Sequence, residues 1–492
     1  MTPFAFEEAT VSSIHAAIAA RRVTCEQIVR AALARIAAFD RQGPALRAML
    51  MLNPRALPLA QAFDAAGTKA PRGPLHCIPI VLKDNFDTAD MPTTGGSVTL
   101  AKSQPPDDAF VVKRLRDAGA IIIGKANLTE LALTGTTVSS LGGQTLNPYD
   151  LMRTPGGSSG GTGAAIAASF AVLGTGSDTG QSIRSPASAL SLVGVRPTHG
   201  LISRDGIMPF SPTQDEIGPI TRTVEDAARM LDVMAGYDPA DPGTAFSSGH
   251  VPASFTAALD RNGLRGARIG VLTEFFGQEP VHREVNHVIE SALEKMRGLG
   301  ATIERISMPE IDTLTRDLSV ANFELRPAFD RYLASLGPNA PVKTFDEFFA
   351  KNEFHESLRS LLEDAHRVKD GLASPEYHRQ LARRAELRQA MMTAFASHRV
   401  DAILYPHQRR LVVPIGEAQV DRNGVLSNST GFPAVAFPGG FSTPTATAPV
   451  GVPVGLEILG PEWSEPTLLK IAYAFEQAAH LRRPPQSTPA LK

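Results

Sequence analysis

The stretch 154-TPGGSSGGTG-163 combines glycines and serines in the middle of a chain of 492 residues. Such a composition is typical of a flexible linker, a phosphate-binding loop or a catalytic turn. Residues 164–169, AAIAAS, follow directly and favour a helix, so the glycines are expected at a helix N-terminus. Backbone N–H groups at such an end favour negative charge. This setting argues against a linker and leaves the other two interpretations.

Neither of two familiar loop motifs fits this stretch. A phosphate-binding loop ends in Gly-Lys-Ser/Thr, whereas Gly161 is followed by threonine. The pattern 156-GGSSG-160 matches a nucleophile elbow with Ser158 at its centre, but an elbow follows a buried strand. Residues 147–155, NPYDLMRTP, contain two prolines and polar side chains, which a central strand would not carry. Ser158 is therefore not interpreted as the elbow serine of an α/β-hydrolase.

A second turn of small residues, 174-GTGSDTGQSIRSP-186, does follow an apolar run, at 170–173. Ser182 lies in this turn. The backbone N–H groups around it are expected to converge on one point, as stabilisation of an oxyanion requires. If an amide carbonyl lies over Ser182, the turn supplies both the attacking hydroxyl and the charge stabilisation. The N–H groups concerned belong to Thr179, Gly180, Gln181 and Ser182.

A serine nucleophile needs a base, because its hydroxyl is unreactive at neutral pH. His199, in the sequence RPTHG, is interpreted as a structural loop residue. Lys83 ends the apolar run 77–82, CIPIVL, which predicts a short buried strand. Burial disfavours a lysine's charge and brings its pKa into the range of a working base. A solvated lysine at a strand end is the competing interpretation when Lys83 is considered alone.

The rest of the chain predicts helices alternating with buried strands, which indicates an α/β fold. The first 65 residues are expected to be helical, with Thr24 and Gln27 forming a capping box. Residues 315–395 are charged and helical in pattern, and most of their aromatic side chains are expected in a core. Further helices are predicted at 109–119 (capped by Asp107 or Asp108), 160–169, 224–236 (opened by Thr223 and Asp226) and 465–481, and strands at 120–124, 170–176, 268–272, 302–306 and 400–406.

Composition limits the classes of function. The charges of the 48 basic and 50 acidic residues nearly cancel, and neither sign forms a long run. The sequence therefore predicts no basic surface that would bind nucleic acid or an anionic membrane. No apolar run reaches the roughly 20 residues that span a bilayer, and the N-terminus MTPFAFEEAT lacks the pattern of a signal peptide. Cys25 and Cys77 are too few for a disulfide framework, and Cys77 is interpreted as a small buried thiol. A cytoplasmic enzyme acting on a small molecule is expected.

Several separate motifs, in one fixed order, resemble the amidase signature family. The resemblance is close from Pro74 to Asp238 and looser from 401 to 485, and the region between them has no recognisable pattern. The motifs are 81-VLKDNFD-87, 155-PGGSSGG-161, 178-DTGQSIRSPAS-188, 194-GVRPTHG-200 and 216-EIGPITRTVEDAA-228.

The resemblance implies a Ser-Ser-Lys triad and assigns a role to each member. Lys83 would be the base, Ser158 the bridging serine and Ser182 the nucleophile that forms the acyl-enzyme. The oxyanion hole would use the backbone N–H groups of residues 179–182. The peptide bond between Gly157 and Ser158 is expected to be cis. No cofactor and no metal are implied.

The resemblance also implies supporting residues and one large domain. Asp178 and Arg184 would pair to hold the nucleophile turn. The fold class is α/β, with a mixed sheet flanked by helices. The expected parts are N-terminal helices (1–65), a catalytic core (66–240), a divergent and largely helical cap (245–400) and the C-terminal part of the core (401–485).

Two positions depart from the family pattern. The family usually has Gly-Gly-Ser at the nucleophile, where this chain has 180-GQS-182, and it usually has glycine where this chain has Cys77. The oxyanion hole uses backbone N–H groups, so a side chain at Gln181 need not abolish it. Its side chain must, however, fit a conformation that glycine enters more readily.

The expected activity is hydrolysis of a small carboxylic amide, with no nucleic acid or membrane partner and with a homodimer left open. The alternative is the glutaminase subunit of a tRNA-dependent amidotransferase, ranked lower because of the departure at Gln181. A weaker alternative is a member that prefers ureas, carbamates or esters. A catalytically silent binding protein is disfavoured because all three triad residues are present.

Overall fold

The computed structural model describes residues 4–67 and 73–491, and its central element is a mixed sheet of eleven strands. Two further strands, β4 and β5, form a small separate hairpin. The strands are β1 (Met49–Leu52), β2 (Pro79–Lys83), β3 (Ile121–Ala126), β4 (Val138–Ser139), β5 (Gly143–Gln144), β6 (Leu173–Asp178), β7 (Val193–Arg196), β8 (Glu216–Thr221), β9 (Arg268–Leu272), β10 (Thr302–Ile306), β11 (Ala402–Pro406), β12 (Ala434–Phe441) and β13 (Pro453–Leu459).

Fifteen α-helices occur in the described ranges and pack around this sheet. They are α1 (Val11–Ala19), α2 (Cys25–Phe39), α3 (Ala56–Ala65), α4 (Phe110–Asp117), α5 (Gly160–Ala167), α6 (Arg184–Ala189), α7 (Val224–Met234), α8 (Arg283–Gly298), α9 (Ile311–Leu314), α10 (Ala321–Ser335), α11 (Phe345–Lys351), α12 (Arg359–Arg367), α13 (Pro375–His398), α14 (Val425–Thr430) and α15 (Glu465–Ala479).

The strand order is β1-β3-β2-β6-β8-β7-β12-β13-β11-β9-β10. Strand β2 runs parallel to both β3 and β6, whereas β6, β8, β7, β12, β13 and β11 pair antiparallel in succession. Every residue of β2, β3 and β6 is buried, as expected of parallel strands covered by helices. Parallel neighbours end at the same edge of a sheet, so Lys83, the last residue of β2, lies beside the end of β6.

Most predicted elements are confirmed as local structures. Thr24 and Gln27 form the capping box of α2, and the Thr223 side chain accepts a hydrogen bond from the N–H of Asp226 at the start of α7. Strands occur within or close to each range where they were predicted, and residues 145–157, directly before Ser158, contain no strand. The α/β fold class with a mixed sheet is therefore confirmed.

Two local predictions are wrong. The first 65 residues are not all helical, because Met49–Leu52 pairs antiparallel with β3 as an edge strand. The cap predicted for α4 is also absent, since its N-cap is Ala109 and no side chain caps it. Asp108 instead accepts a hydrogen bond from the Ala89 N–H and pairs with Arg116. Its carboxylate is therefore used in tertiary contacts and does not cap the helix.

The region 245–400 contains more than helices. Strands β9 and β10 extend the central sheet beside β11, while α10 to α12 build a second apolar cluster. Phe329, Phe345 and Phe348 are fully buried in this cluster, which also includes Leu131 and Met208 from the preceding part of the chain. Its function as a cap over the site stays a prediction.

The two cysteines are joined in a disulfide, which corrects the interpretation of Cys77 as a free buried thiol. Cys25 opens α2 and Cys77 precedes β2, and the packing of α2 against β2 brings their Cα atoms to 5.2 Å. A pairing across 52 residues leaves no local signal in the sequence. Within the described ranges, no helix has the length and apolarity to cross a membrane. Residues 1–3, which begin the N-terminal stretch considered above, lie outside those ranges.

Candidate active site

Lys83 is fully buried, and its side-chain amino group contacts the loop of Ser158 and the end of strand β6. Its Nζ lies 2.7 Å from Ser158 Oγ, 2.8 Å from Ser177 Oγ and 3.3 Å from the carbonyl oxygen of Ser177. The backbone N–H of Lys83 donates to Thr175 Oγ1 across the β2–β6 pair. Thr175 and Ser177 point to the same side because strand residues alternate with a period of two. The sheet therefore holds the lysine beside Ser158.

The glycines around Ser158 are required by close backbone approach. A Cβ on Gly157 would lie 2.7 Å from the carbonyl carbon of Gly135, and one on Gly161 would lie 2.0 Å from the carbonyl oxygen of Asn127. Real Cβ contacts are longer than these distances, so side chains at Gly157 and Gly161 would displace the backbone. The peptide bond between Gly157 and Ser158 is cis, as the resemblance implies.

Ser182 lies in the turn between β6 and α6, next to the loop that carries Ser158. The N–H of Ser159 donates to the carbonyl oxygen of Ser182 at 3.2 Å, which joins the two loops. Within the described residues, none of the four backbone N–H groups of residues 179–182 has a hydrogen-bond acceptor. Gln181 is not among the residues with positive φ, so it does not need the backbone conformation of glycine. The structure thus leaves the N–H groups of this turn free for a ligand.

A buried ion network holds the turn. Asp178 accepts from Arg184 Nε at 3.1 Å, from Arg196 Nη1 at 3.0 Å and from the N–H of Ile183 at 3.1 Å. Burial alone would raise the pKa of Asp178, but the two guanidinium groups lower it well below its usual range. Arg184 also donates to Glu457 at 2.5 Å. The expected pairing of Asp178 with Arg184 is present, within a larger network.

Replacing Arg184 with methionine should destabilise the fold strongly. The change leaves Asp178 and Glu457 buried without this partner, and breaking a buried pair costs roughly 3–5 kcal/mol. Urea denaturation followed by fluorescence measures the loss. The matched control is Arg297→Met, because Arg297 pairs with Glu294 on the surface and such pairs contribute at most about 1 kcal/mol. Equal stabilities of the two variants would contradict the structural importance of the network.

The electrostatic surroundings of Lys83 fit a base. Burial lowers its pKa from the ordinary value of 10.5 to about 7, against the opposing effect of the Asp178 and Asp215 carboxylates. A substantial fraction of the lysine is then neutral near physiological pH. The neutral amine offers a lone pair to the Ser158 hydroxyl, which an ammonium group does not. His199 pairs with Glu216 instead and has no hydrogen bond to Lys83.

Three side chains of the site were not singled out from the sequence: those of Ser177, Asn85 and Arg196. Ser177 is the second hydroxyl partner of Lys83, and its Oγ also accepts from Asn85 Nδ2 at 3.0 Å. Arg196 joins the Asp178 network from β7. The period-two pattern of 173–178 could have placed Ser177 on the same face as Thr175, but the register against β2 has no sequence signal.

A cavity of about 770 Å³ lies close to the loop of Ser158. Gly135 and Arg422 both line it, and Gly135 contacts the peptide before Ser158. The lining is mixed in polarity, with Leu133, Val138 and Ile415 among Thr134, Thr136, Gln144, His355, Ser357, Glu417 and Gln419. A small organic molecule fits such a volume.

The described residues contain a single cluster of metal-ligand side chains, Cys25, His76 and Cys77. Its two sulfur atoms are bonded to each other, so they are not thiolate ligands in this structure. Within the described ranges, this cluster shares no residue with the Lys83 site.

Comparison with known proteins gives consistent matches over the length of the chain. The Amidase family model matches residues 27–469. The A subunit of the Glutamyl-tRNA(Gln) amidotransferase of Moorella thermoacetica is 37% identical over 483 residues, covering 94% of this chain and 96% of the relative.

Two solved structures extend the comparison. The native peptide amidase of Stenotrophomonas maltophilia is 37% identical, with a TM-score of 0.88 and coverage of 98% of this chain and 99% of the other. The A subunit of the Glutamyl-tRNA(Gln) amidotransferase of Thermotoga maritima is 27% identical, with a TM-score of 0.74 and coverage of 97% and 96%.

Proposed function

The chain belongs to the amidase family and is an amide-cleaving enzyme, and from that premise we propose that Lys83, Ser158 and Ser182 carry its reaction. Lys83 is the base, Ser158 relays the proton and Ser182 forms the acyl-enzyme. The observation that carries the proposal is the 2.7 Å contact between Ser158 Oγ and a buried lysine whose pKa burial lowers to about 7. Such a lysine accepts a proton at neutral pH.

The proposed reaction has two halves. Neutral Lys83 takes the proton of Ser158, which takes that of Ser182, and the Ser182 oxygen bonds to the amide carbonyl carbon. The free N–H groups of residues 179–182 stabilise the negative charge that develops on the carbonyl oxygen. The proton returns to the leaving nitrogen as the C–N bond breaks. Water then attacks the ester on Ser182 by the same relay and releases the acid.

Labelling with a fluorophosphonate tests the assignment of the nucleophile. This reagent forms a stable bond with activated serines, and mass spectrometry of the digested protein locates the added mass. We expect the adduct on Ser182 in the wild type and a much slower reaction in Ser158→Ala. An adduct on Ser158 would return the nucleophile role to that residue, and no adduct on either serine would support a silent binding protein.

The substrate has two candidates, and glutamine is the first. The relative from Moorella thermoacetica is the A subunit of an amidotransferase, which supports the glutaminase alternative better than the free-standing amidase that the sequence analysis ranked first. In that case the chain would release ammonia from glutamine for partner subunits and work next to tRNA. The prediction of no nucleic-acid partner, made from charge alone, would then be wrong for the assembly.

A peptide amide is the second candidate. It is favoured by the similarity to the native peptide amidase, which has a higher TM-score and identity than the Thermotoga maritima protein. Ammonia release from glutamine and from an N-acetylated dipeptide amide, measured on the purified chain, separates the two. Rapid cleavage of the dipeptide amide with indifference to glutamine supports a free-standing amidase. Glutaminase activity that appears only with partner subunits supports the amidotransferase component. Ureas, carbamates and esters in the same panel test the weaker alternative.

The pH profile should reflect the ionisation of Lys83. Only the neutral amine is a base, so kcat/KM should rise as pH increases through about 7 and then level off. Asp215 raises the pKa of Lys83, so Asp215→Asn should move this rise to lower pH. The matched control Asp117→Asn changes an exposed carboxylate paired with Lys113 and should leave the profile in place. A shift to higher pH in Asp215→Asn would contradict the role of Lys83.

A further inference from the structure

Gln181 departs from the family pattern at the nucleophile turn, and among the described residues its side chain hydrogen-bonds to one charged group, that of Arg422. With its amide oriented to satisfy both ends, Gln181 Oε1 accepts from Arg422 Nε at 2.8 Å and from Nη1 at 3.1 Å. The amide nitrogen donates to His407 Nε2 at 3.2 Å, and His407 Nδ1 donates to Glu457 at 2.5 Å. A chain of hydrogen bonds thus fixes Gln181, and Gln181 in turn orients the guanidinium group.

Arg422 differs from the other arginines placed inside this protein. Arg184, Arg196, Arg204 and Arg482 each pair with a carboxylate. Arg35, Arg222 and Arg384 have no carboxylate, but each donates to two or more backbone carbonyl groups. For Arg422, the structure in its described ranges shows neither, and its side chain bonds only with the neutral amide of Gln181. Burial without a neighbouring carboxylate lowers its pKa.

The position of Arg422 connects it to the reaction centre. It lines the 770 Å³ cavity, and its Nη1 lies 2.6 Å from the point that a Cβ on Gly135 would occupy. Gly135 contacts Gly157, the residue before Ser158, and Gln181 precedes Ser182. The guanidinium group of Arg422 therefore lies between the cavity and the turn that carries Ser182. Glu417 also lines the cavity, but it is exposed and forms no ion pair with Arg422.

We propose that Arg422, oriented by Gln181, is a specificity-determining residue that binds a carboxylate of the amide substrate. This inference rests on the proposed function of Ser182. A guanidinium group has five donors, of which Gln181 occupies two, so Nη2 is left to bind a carboxylate oxygen. The glycine common in the family at position 181 has no side chain to orient Arg422. The substitution thus adds substrate selection and leaves the backbone N–H of the turn in place.

Two amides of equal length test the proposal. Succinamate carries a carboxylate two methylene groups from its amide, and butyramide is its uncharged counterpart. We expect the wild type to prefer succinamate in kcat/KM. Arg422→Ala should lower the ratio of the two kcat/KM values by roughly 10-fold to 100-fold, as for loss of a charged hydrogen bond. Gln181→Gly should lower the ratio less. The matched control Arg410→Ala removes an arginine paired with Asp421 and should leave the ratio unchanged.

A binding measurement keeps the test independent of turnover. Succinate should protect Ser182 of the wild type from fluorophosphonate, and Arg422→Ala should need at least about 10-fold more succinate for equal protection. Equal substrate ratios, or equal protection, in the wild type and Arg422→Ala overturn the proposed role of Arg422. If Ser182 is labelled in both, the proposed function still stands. If Ser182 is never labelled, the proposed function fails, and this inference fails with it.

Discussion

Replacing Ser182 with alanine should lower kcat by roughly four to six orders of magnitude, the range found when one member of a cooperating triad is removed. The variant lacks the oxygen that forms the acyl-enzyme, so both halves of the reaction lose their covalent route. Ammonia release from the best substrate of the panel measures the effect, and circular dichroism checks the fold. Near-normal turnover in Ser182→Ala would rule out the proposed mechanism.

The control for this variant is Ser185→Ala, one turn further along the same segment. Ser185 is buried, and its hydroxyl has no hydrogen-bond partner among the described residues. Its removal therefore reports the general cost of deleting a buried hydroxyl at this helix. We expect Ser185→Ala to stay within a few-fold of wild-type turnover.

Lys83→Met should lower kcat by roughly four orders of magnitude or more. Methionine keeps a similar length in the buried site but cannot accept the proton of Ser158, so Ser182 is not activated. The reaction of Ser182 with fluorophosphonate should slow in parallel with turnover, because both need the same proton transfer. Stopped-flow labelling and steady-state ammonia release measure the two rates.

The surface variant Lys113→Met is the matched control, since Lys113 is exposed and pairs with Asp117 on the surface. It should behave as the wild type in both assays. If Lys83→Met loses turnover but keeps rapid labelling of Ser182, the lysine acts after acylation and the assignment of the base is wrong.

The sequence predicts the local parts of the site better than their long-range contacts. Lys83 was recognised at the end of a short apolar run, and Ser182 in a turn after another, because strand ends and small-residue turns are encoded within a few residues. The 2.7 Å contact between Lys83 and Ser158 depends on how α5 and the loop before it pack against β2 and β6. No local pattern specifies that packing, and only the order of the family motifs indicated it.

The same distinction explains what the sequence could not predict. The second partner of Lys83, Ser177, depends on strand register. The disulfide between Cys25 and Cys77 depends on how α2 packs, and the contact of Gln181 with Arg422 joins residues 241 positions apart in the chain. Edge strand β1 was also missed, because MLML has the composition of a helix as much as that of a strand.

The burial of Lys83 has a thermodynamic consequence for the whole fold. An unfolded chain keeps this lysine protonated up to about its ordinary pKa of 10.5, whereas the folded protein releases the proton near 7. Between these values the unfolded state binds more protons, so the contribution of Lys83 to the free energy of unfolding rises with pH across this interval. Below about pH 7 the folded protein must hold a buried ammonium group, and the destabilisation caused by Lys83 has reached its full size. Lys83 must lose this proton before it can act as a base, and keeping the proton destabilises the folded protein. The burial that makes Lys83 a working base therefore also lowers the stability of the native state.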